Sequence, residues 1–550
     1  MKEYQDELRD FTATKRLIPI TMIAIAIGII ASFVALALLR LIGLFTNLFF
    51  YLRWDTDFVS PAGHHLGIGV IVVPVIGALL IGVMARFGSE KIRGHGIPEA
   101  LESILMRGSR VEAKLAVLKP LSAAISIGSG GPFGAEGPII MTGGAFGSLI
   151  AQRFHLTSAE RKTLLVAGSA AGMAATFGTP LAATLLAVEL LLFEWKPRSF
   201  VPVAMACGAA MATRHFLFDT APLFPVTAPI APDNIMVLVA CVGAGIAAGV
   251  LSAAMTASVY FFEDIFLKLR IHWMWWPAIG GLAIGIGGII EPRALGVGYN
   301  SIADLLHGNL TLAAIVTLVL VKWAIWSISL GSGTSGGVLA PLLMLGAALG
   351  AILAHVLPAA PVGFWPLIAM GAILGGTMRS PLTGILFAAE VSGDFSALLP
   401  LTVAVVCAHA FTVLVLRRSV LTEKVARRGY HVTREYEIDP LEVLFVREVM
   451  KPATSAVQLE HIASPNETLR SATYRMANHR VTTLSVVDGG TQIGVIELED
   501  VLVARRRHAE EETRREQVTP LVPGWIPLPP LVPQAVDRLE RLSFRRKRPR

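Results

Sequence analysis

The chain has 550 residues, of which 54% are hydrophobic and only 16% are charged. A soluble protein of this length needs more charged side chains to cover its surface, so the composition excludes an ordinary soluble globular protein and favours one that folds in a bilayer. The net charge of +7 is uneven, since residues 541–550 hold six basic side chains and no acid. Beside a membrane domain, this segment is more typical of contact with anionic lipid than of nucleic-acid binding.

Apolar stretches long enough to cross a bilayer, which takes about 20 residues, recur along most of the chain. The clear examples are 17–41, 67–85, 199–217, 234–258, 310–328, 363–391 and 397–416. The first stretch is too long for a signal-peptide core and has no obvious small-residue cleavage site. We therefore expect a multi-pass protein whose first helix is retained, with its basic end in the cytoplasm.

Four regions follow from the composition. Residues 1–16 form a cytoplasmic N-terminus, 17–435 a membrane domain, 436–515 a small cytoplasmic α/β module, and 516–550 a Pro-rich and basic tail. The three cysteines lie in apolar segments without paired spacing, which indicates neither disulfides nor a metal site.

The membrane domain contains an internal repeat. Residues 128–138 (GSGGPFGAEGP) match 331–341 (GSGTSGGVLAP), and residues 180–190 (PLAATLLAVEL) match 381–391 (PLTGILFAAEV), at offsets of 203 and 201. Interrupted segments at corresponding places in two halves indicate a transporter's binding site, because non-helical backbone in a membrane must face protein or a watery cavity. The repeat leaves open whether the halves are parallel or inverted.

Three glycine-rich breaks, GHGIP at 94–98, GAEGP at 134–138 and GVLAP at 337–341, each lead into an apolar helix. Each break places free backbone amides at the positive end of a helix dipole, an arrangement that holds an anion weakly enough to release it. Close helix packing explains any single break equally well, but three breaks, two of them in register across the repeat, favour an anion pathway. The candidate ligands are Gly94, His95, Gly96, Ile97, Pro98, Gly134, Ala135, Gly137, Gly337, Val338 and Leu339.

Glu136 is a carboxylate inside an apolar span, where a charge is costly and is rarely kept without a function. It stands at a helix start, among the amides that an anion would use. Ionised, it can occupy the anion site and block it; protonated or displaced, it opens the path. The sequence thus predicts a gate that couples anion flow to pH or to proton movement, with a surface glutamate at a helix start as the alternative.

The breaks resemble the signature motifs of the CLC family of voltage-gated chloride channels and chloride/proton antiporters, whose usual forms are GSGIP, G(K/R)EGP and GxFxP. The resemblance covers residues 20–430 in the right order. It implies an all-α polytopic membrane fold of two inverted repeat halves with broken helices. It also implies a homodimer with one pore per subunit and both termini in the cytoplasm. By motif, Glu136 is expected to be the gating glutamate, and the amides of Val338 and Leu339 are expected to be anion ligands.

The chain departs from the family pattern at several positions. His95 replaces the serine whose hydroxyl contacts the central anion, so chloride is the default anion, with nitrate or fluoride as alternatives. Ala135 replaces a basic residue, and Leu339 replaces a phenylalanine whose backbone is the ligand. Leu421 falls where the family has its central tyrosine, and Leu190 falls where many antiporters have an internal, proton-passing glutamate.

Two acids near Leu190 are candidates for a proton pathway. Glu189, like Glu390 in the second half, is expected to be a structural acid at a helix end. Glu194 could deliver protons from the cytoplasmic edge, although an exposed interfacial acid is the more ordinary interpretation. The missing tyrosine and internal glutamate favour channel-like or weakly coupled chloride transport, with a chloride/proton antiporter as the alternative.

Residues 446–506 resemble a single CBS motif, the regulatory unit common after CLC membrane domains. In the nucleotide-binding form a serine or threonine follows the glycine by three residues, whereas here Gly494 is followed by Glu497 and then Asp500. Asp500 could hold a ribose, but Glu497 would repel a phosphate. We therefore expect no cofactor and a pairing or trafficking role across the dimer, with adenine-nucleotide binding at the module as the less favoured alternative.

A secondary transporter of a small carboxylate and an intramembrane enzyme are remote alternatives. The first needs basic residues within the spans, and almost none stands out beside the breaks. The second needs a nucleophile–base pair or a metal cluster, which the scattered His and Cys residues do not offer. The sequence therefore predicts passage of chloride or a similar small anion, and of protons in the antiporter case, across a plasma or inner membrane.

Overall fold

The computed structural model describes residues 14–106, 108–219, 221–226, 234–429, 440–452 and 461–513. The expected N-terminal segment 1–16 lies largely outside these ranges. The expected tail 516–550 and the expected domain boundary at 435 lie outside them altogether.

The described part of the first half contains eight α-helices, several of which start at a proline or glycine break. They are α1 (Leu17–Thr46), α2 (Val72–Phe87), α3 (Ile97–Met106), α4 (Ala113–Gly128), α5 (Glu136–Ala151), α6 (Ser158–Phe177), α7 (Pro180–Leu186) and α8 (Pro197–Leu217). A π-helical turn extends α1 over Asn47–Tyr51 and α7 over Ala187–Leu192, and a 3-10 turn, Gly67–Ile71, precedes α2.

The described part of the second half repeats this order of helices. It comprises α9 (Ile235–Lys268), α10 (Trp276–Ile290), α11 (Tyr299–Leu306), α12 (Leu312–Gly331), α13 (Leu339–Leu353), α14 (Phe364–Met378), α15 (Pro381–Ser392) and α16 (Leu398–Val415). A further short helix, α17 (Val420–Arg427), follows the second half and packs against α3.

The two halves are related by a two-fold rotation. Gly134 and Gly337, which occupy equivalent places in the repeat, pair with each other in an antiparallel bridge. A residue can pair antiparallel with its own equivalent only if a two-fold axis passes between them. This relation agrees with the inverted repeat that the family resemblance implies, an architecture common among membrane transporters.

Seven helical segments among the described residues are long and apolar enough to cross a membrane: Leu17–Tyr51, Gly67–Phe87, Pro197–Leu217, Ile235–Lys268, Trp273–Ile290, Leu312–Gly331 and Leu398–Arg427. Six of them match expected spans, so the prediction of a multi-pass membrane protein is confirmed.

Two details of the expected spans are wrong. Trp273–Ile290 was missed, because five glycines and three tryptophans interrupt its apolar run. The expected span 363–391 is two shorter helices, α14 and α15. Arg379 ends α14 in a left-handed conformation with φ of 55°, and Pro381 then starts α15, where its missing N–H costs nothing.

The innermost helices are α5, α6, α13 and α14, in which most side chains are buried on every face. A helix surrounded by other helices needs no polar face, and alanine and glycine allow the close approach that membrane packing requires. The amphipathic face that a soluble helix shows is therefore missing here, and the helices carrying the breaks lie away from lipid.

The C-terminal module is a small α/β unit with its own apolar core. Its elements are α18 (Pro440–Val443), α19 (Val446–Val449), β1 (Lys451–Pro452), β2 (Ile462–Ala463), α20 (Leu469–His479), β3 (Thr483–Asp488), β4 (Thr491–Glu497) and α21 (Leu498–Thr513). The sheet has the order β1-β4-β3-β2, with β2 and β3 parallel and the other pairs antiparallel. The expected α/β module after an all-α membrane domain is thus confirmed as a fold class.

Candidate anion pathway

Backbone hydrogen bonds hold the three breaks together. The amide of Gly134 donates to the carbonyl of Gly337 at 3.2 Å, and Gly337 donates back at 2.9 Å. The amide of Gly94 donates to Thr334 at 3.2 Å, and the Gly94 carbonyl accepts from Gly336 at 3.4 Å. Segments more than 200 residues apart in the chain therefore form one site at the centre of the membrane domain.

The first and second breaks are also in direct contact. A Cβ atom on Gly137 would overlap the carbonyl oxygen of His95, and a Cβ on Gly96 would lie 2.6 Å from the carbonyl oxygen of Gly137. Both positions require glycine because another chain segment occupies the space of a side chain. The amino ends of α3, α5 and α13 consequently meet in one small region, where their dipoles favour negative charge.

All eleven candidate ligand residues are buried, but four of them already use their amides within the protein. Gly94, Gly134 and Gly337 donate to backbone carbonyls, and the amide of Gly96 donates to the carboxylate of Glu99 at 2.9 Å. The expectation that these glycines offer free amides is wrong, because three of the amides bind other segments of the site and the amide of Gly96 binds the side chain of Glu99. The candidate ligands whose amides make none of these bonds are His95, Ile97, Ala135, Gly137, Val338 and Leu339.

Glu136 is completely buried at the amino end of α5. Neither carboxylate oxygen makes a hydrogen bond of ordinary geometry to a described residue, and Oε2 would lie 2.8 Å from a Cβ on Gly337. The backbone amide of Ala340 and the ammonium of Lys322 are among the groups that act on it. The carboxylate thus stands at the junction of the second and third breaks, where it excludes an anion from the same space.

Two buried lysines, both missed in the sequence, flank this junction. Lys119 on α4 donates to the carbonyls of Ile92 at 2.8 Å and Gly94 at 2.7 Å, and to the hydroxyl of Ser335 at 3.3 Å. Lys322 on α12 donates to the carbonyls of Ala294 at 2.9 Å and Gly296 at 2.8 Å. The expectation of almost no basic residue beside the breaks is therefore wrong.

These lysines are equivalent residues of the repeat, and the sequence contained a signal for them. Residues 119–130 read KPLSAAISIGSG and residues 322–333 read KWAIWSISLGSG, so each lysine precedes its GSG motif by the same distance. The same symmetry reveals a fourth break, Gly296-Val297-Gly298, as the counterpart of Gly94-His95-Gly96. Each lysine neutralises the carbonyl dipoles of one such break, and each adds a buried positive charge near the site.

His95 and Leu421 mark the two departures from the family's central site. His95 is buried, and its Nδ1 makes no hydrogen bond to a described residue. Leu421 is completely buried on α17, where a tyrosine would place its hydroxyl. The side chains at these two positions therefore offer one imidazole in place of two hydroxyl groups.

Glu189 caps a helix of the opposite half. Its carboxylate accepts from the amides of Leu382 at 3.0 Å and Thr383 at 2.8 Å, and from the Thr383 hydroxyl at 2.7 Å. Glu390 does the same at the start of α7, accepting from Leu181 and Ala182. The carboxylates satisfy amides that a helix start leaves without partners, which matches the structural role expected of them.

Glu194 is buried, so the expectation of an exposed interfacial acid is wrong. It accepts from the Ser199 hydroxyl at 2.6 Å and pairs with Lys162 at 3.8 Å, Lys196 at 3.7 Å and Arg198 at 3.4 Å. Burial alone would raise the pKa of this carboxyl, but the surrounding cations and the hydroxyl outweigh it and hold the pKa below its usual range. Glu194 therefore stays ionised at neutral pH, which makes it a poor carrier of protons.

Asp500 in the C-terminal module is also engaged within the protein. Its carboxylate accepts from the amide of Glu497 at 3.1 Å and pairs with Lys451 at 2.7 Å. The oxygens that could hold a ribose are thus bound to the end of β4 and to β1.

Comparison with known proteins identifies the family. Residues 76–413 match the family model described as voltage gated chloride channel. The H(+)/Cl(−) exchange transporters ClcA of Salmonella newport and Salmonella agona are each 30% identical over 371 residues, which cover 64% of this chain and 74% of theirs.

Solved structures share the fold at lower identity. A slow cyanobacterial Cl−/H+ antiporter superposes with a TM-score of 0.67 at 20% identity, covering 74% of this chain and 97% of that one. A eukaryotic CLC transporter gives 0.64 at 18% identity, covering 88% and 98%. The inverted halves, the joined breaks and these matches agree, and the chain belongs to the CLC family of voltage-gated chloride channels and chloride transporters.

Proposed function

We propose that this CLC-family protein exchanges chloride for protons across the membrane, with Glu136 as the group that both ions use. The observation that carries the proposal is the position of Glu136, buried where the second and third breaks meet and without a hydrogen bond of ordinary geometry to a described residue. The curated relatives named as H(+)/Cl(−) exchange transporters support the antiporter rather than the channel-like flow that the sequence favoured.

The exchange follows from competition for one space. An ionised Glu136 occupies the junction as a surrogate anion, held by helix dipoles and by the charge of Lys322. Chloride displaces the carboxylate, and the displaced carboxylate takes up a proton, since a buried charge without its partners is costly. Return of the neutral side chain then carries the proton while the chloride leaves.

Protons reach Glu136 from the cytoplasm without a chain of acids in this proposal. Glu189 is bound to the start of α15, and Glu194 is held ionised by three cations, so the proposal assigns the proton route to neither. Leu190 offers no titratable group. Water within the pathway is therefore the proton carrier, and coupling is expected to be slow.

We propose that the module lies in the cytoplasm, together with both termini of a homodimer. The guanidinium of Arg447 in the module donates to the carbonyl of Gly429 at 3.1 Å, just after α17. The cleft beside α17 is lined with the basic residues Arg86, Lys91, Arg93, Lys114, Lys424, Arg427 and Arg428. Basic residues concentrate on the cytoplasmic side of membrane proteins, which supports this orientation.

The test is chloride efflux from liposomes that hold the purified protein, with a pH electrode in the same cuvette. An outward chloride gradient should drive protons inward against their own gradient, and an imposed proton gradient should move chloride uphill. Chloride efflux without coupled proton movement would make the protein a channel. Liposomes without protein give the leak, and replacing chloride with nitrate or fluoride ranks the anions.

A further inference from the structure

Lys424 lies directly against the first break. A Cβ atom on Gly94 would overlap the Lys424 ammonium, which places that ammonium in van der Waals contact with the backbone of the break. The side chain is 18% exposed and reaches the break from α17, one turn after Leu421. Helix α17, which has Leu421 where the family resemblance implies a tyrosine, therefore places a positive charge beside the first break.

The ammonium of Lys424 pairs with the carboxylate of Glu99 without a short hydrogen bond to it. It lies 3.5 Å from Oε1 of Glu99, longer than a strong charge-assisted hydrogen bond. Glu99 has two closer partners, the amide of Gly96 at 2.9 Å and the guanidinium of Arg428 at 2.8 Å. Glu99 keeps these two hydrogen bonds while Lys424 contacts an anion as well, so the lysine can serve both groups.

A charged cleft leads to this position from the protein surface. Its lining includes Arg93, Gly333, Lys424, Arg427 and Arg428, so it reaches the GSG motif that precedes the third break as well as α17. The guanidinium of Arg93 lies over the ring of Trp273 at 4.5 Å. An anion that enters the cleft meets Lys424 before it reaches His95.

The charges that line the cleft favour an anion. Seven basic side chains line it, against the four acids Glu90, Glu102, Glu112 and Glu263. The lining therefore has an excess of positive charge, in a partly buried place where an effective dielectric constant well below that of water strengthens attraction.

We propose that Lys424 is the anion ligand at the inner end of the pathway, with its ammonium between Glu99 and the incoming anion, and that it sets the affinity on that side. The inference rests on the proposed function and adds a residue that replaces the missing tyrosine hydroxyl. An ammonium is a compact point charge, whereas a guanidinium is a planar fork that matches planar oxyanions. Lys424 therefore favours a halide over nitrate.

The experiment measures chloride and nitrate binding to the purified full chain by calorimetry, at constant ionic strength. Lys424→Met should weaken chloride binding by about tenfold, the scale of losing one partly buried charge. Lys424→Arg should keep chloride binding within about threefold while shifting the preference towards nitrate. Arg418→Met removes the same charge from the exposed start of α17, where only Glu423 at 3.4 Å is its ion-pair partner among the described residues, and should bind like the wild type.

The proposal is overturned if monodisperse Lys424→Met binds chloride as the wild type does. It is equally overturned if Lys424→Arg has the wild-type preference between chloride and nitrate. This second measurement tests the proposal even if Lys424→Met does not fold. Failure of the proposed function looks different, because the wild type itself would then carry no coupled flux in liposomes.

Discussion

Glu189 and Glu390 cap each other's halves: each carboxylate binds two backbone amides at the start of the short helix in the opposite half. Four charge-assisted hydrogen bonds thereby join α7 to α15 across the two-fold axis. Lipid cannot supply hydrogen bonds to such helix starts, so the exchange of acids holds the two halves in register.

Replacing Glu189 with alanine should destabilise the protein more than replacing Glu390. The first change removes three hydrogen bonds and leaves the buried Thr383 without its acceptor, whereas the second removes two. Hydrogen bonds to charged groups are worth roughly 1.5–3 kcal/mol each. Thermal unfolding in detergent should rank wild type, Glu390→Ala and Glu189→Ala in falling order. Glu499→Gln on the exposed face of α21 is the control, and equal midpoints for all four proteins would contradict the ranking.

Glu136→Gln should separate anion flow from proton movement. Glutamine has nearly the same shape but cannot ionise, so it neither competes as an anion nor carries a proton. In the liposome assay, chloride efflux should persist and become independent of pH, while coupled proton uptake should fall by at least tenfold on the scale of a lost proton-transfer group. Proton uptake at the wild-type ratio would show that another group carries the proton.

Lys322→Met should lower both stability and anion flux. The carbonyls of Ala294 and Gly296 lose their buried donor, at a cost of roughly 1–3 kcal/mol for each group left unpaired. A buried positive charge near the site also disappears, so an anion is attracted less strongly and we expect chloride efflux to fall several-fold. Lys268→Met, at the exposed end of α9, removes the same charge and should change neither property. An unchanged flux in Lys322→Met would leave the lysine with a structural role alone.

Glu194→Gln should leave proton coupling intact and change the pH dependence of stability. The pKa of Glu194 in the folded protein is held below its usual range. Its ion pairs therefore stabilise the fold fully when the pH is above the pKa of the unfolded chain, about 4.3. This stabilisation is lost as the pH falls through the pKa of the folded protein. The unfolding midpoint of the wild type should exceed that of the variant at pH 7, and the gap should close below about pH 4. Loss of coupled proton flux in this variant at neutral pH would instead make Glu194 part of the proton route.

Much of the site could be predicted from the sequence because its parts are local. A glycine-rich break followed by proline needs only a few adjacent residues, so the three breaks and Glu136 were identified before the fold was known. Spans such as Leu312–Gly331 follow from length and composition alone. The family resemblance added the inverted arrangement, which the Gly134–Gly337 bridge supports by geometry.

The remaining features depend on contacts between distant segments. No local pattern indicates that Gly96 gives its amide to Glu99, or that Glu194 is buried among three cations. The buried lysines were overlooked because a single lysine in an apolar helix looks only like a break in the run of apolar residues. Lys119 and Lys322 are recognised as equivalent residues only when the two halves are aligned. Lys424 has no equivalent in the first half, so the alignment does not identify it.

The antiparallel bridge between Gly134 and Gly337 has a consequence for directionality. A scaffold that looks the same when turned upside down gives an ion no reason to prefer one direction, so any rectification must come from residues that break the symmetry. The carboxylate of Glu136 is the most prominent of these, since its equivalent across the axis is Leu339. Lys424 is another, because α17 follows the repeat and belongs to neither copy. To reverse the preferred direction of transport, one would therefore exchange such residues between equivalent positions of the two halves and leave the backbone unchanged.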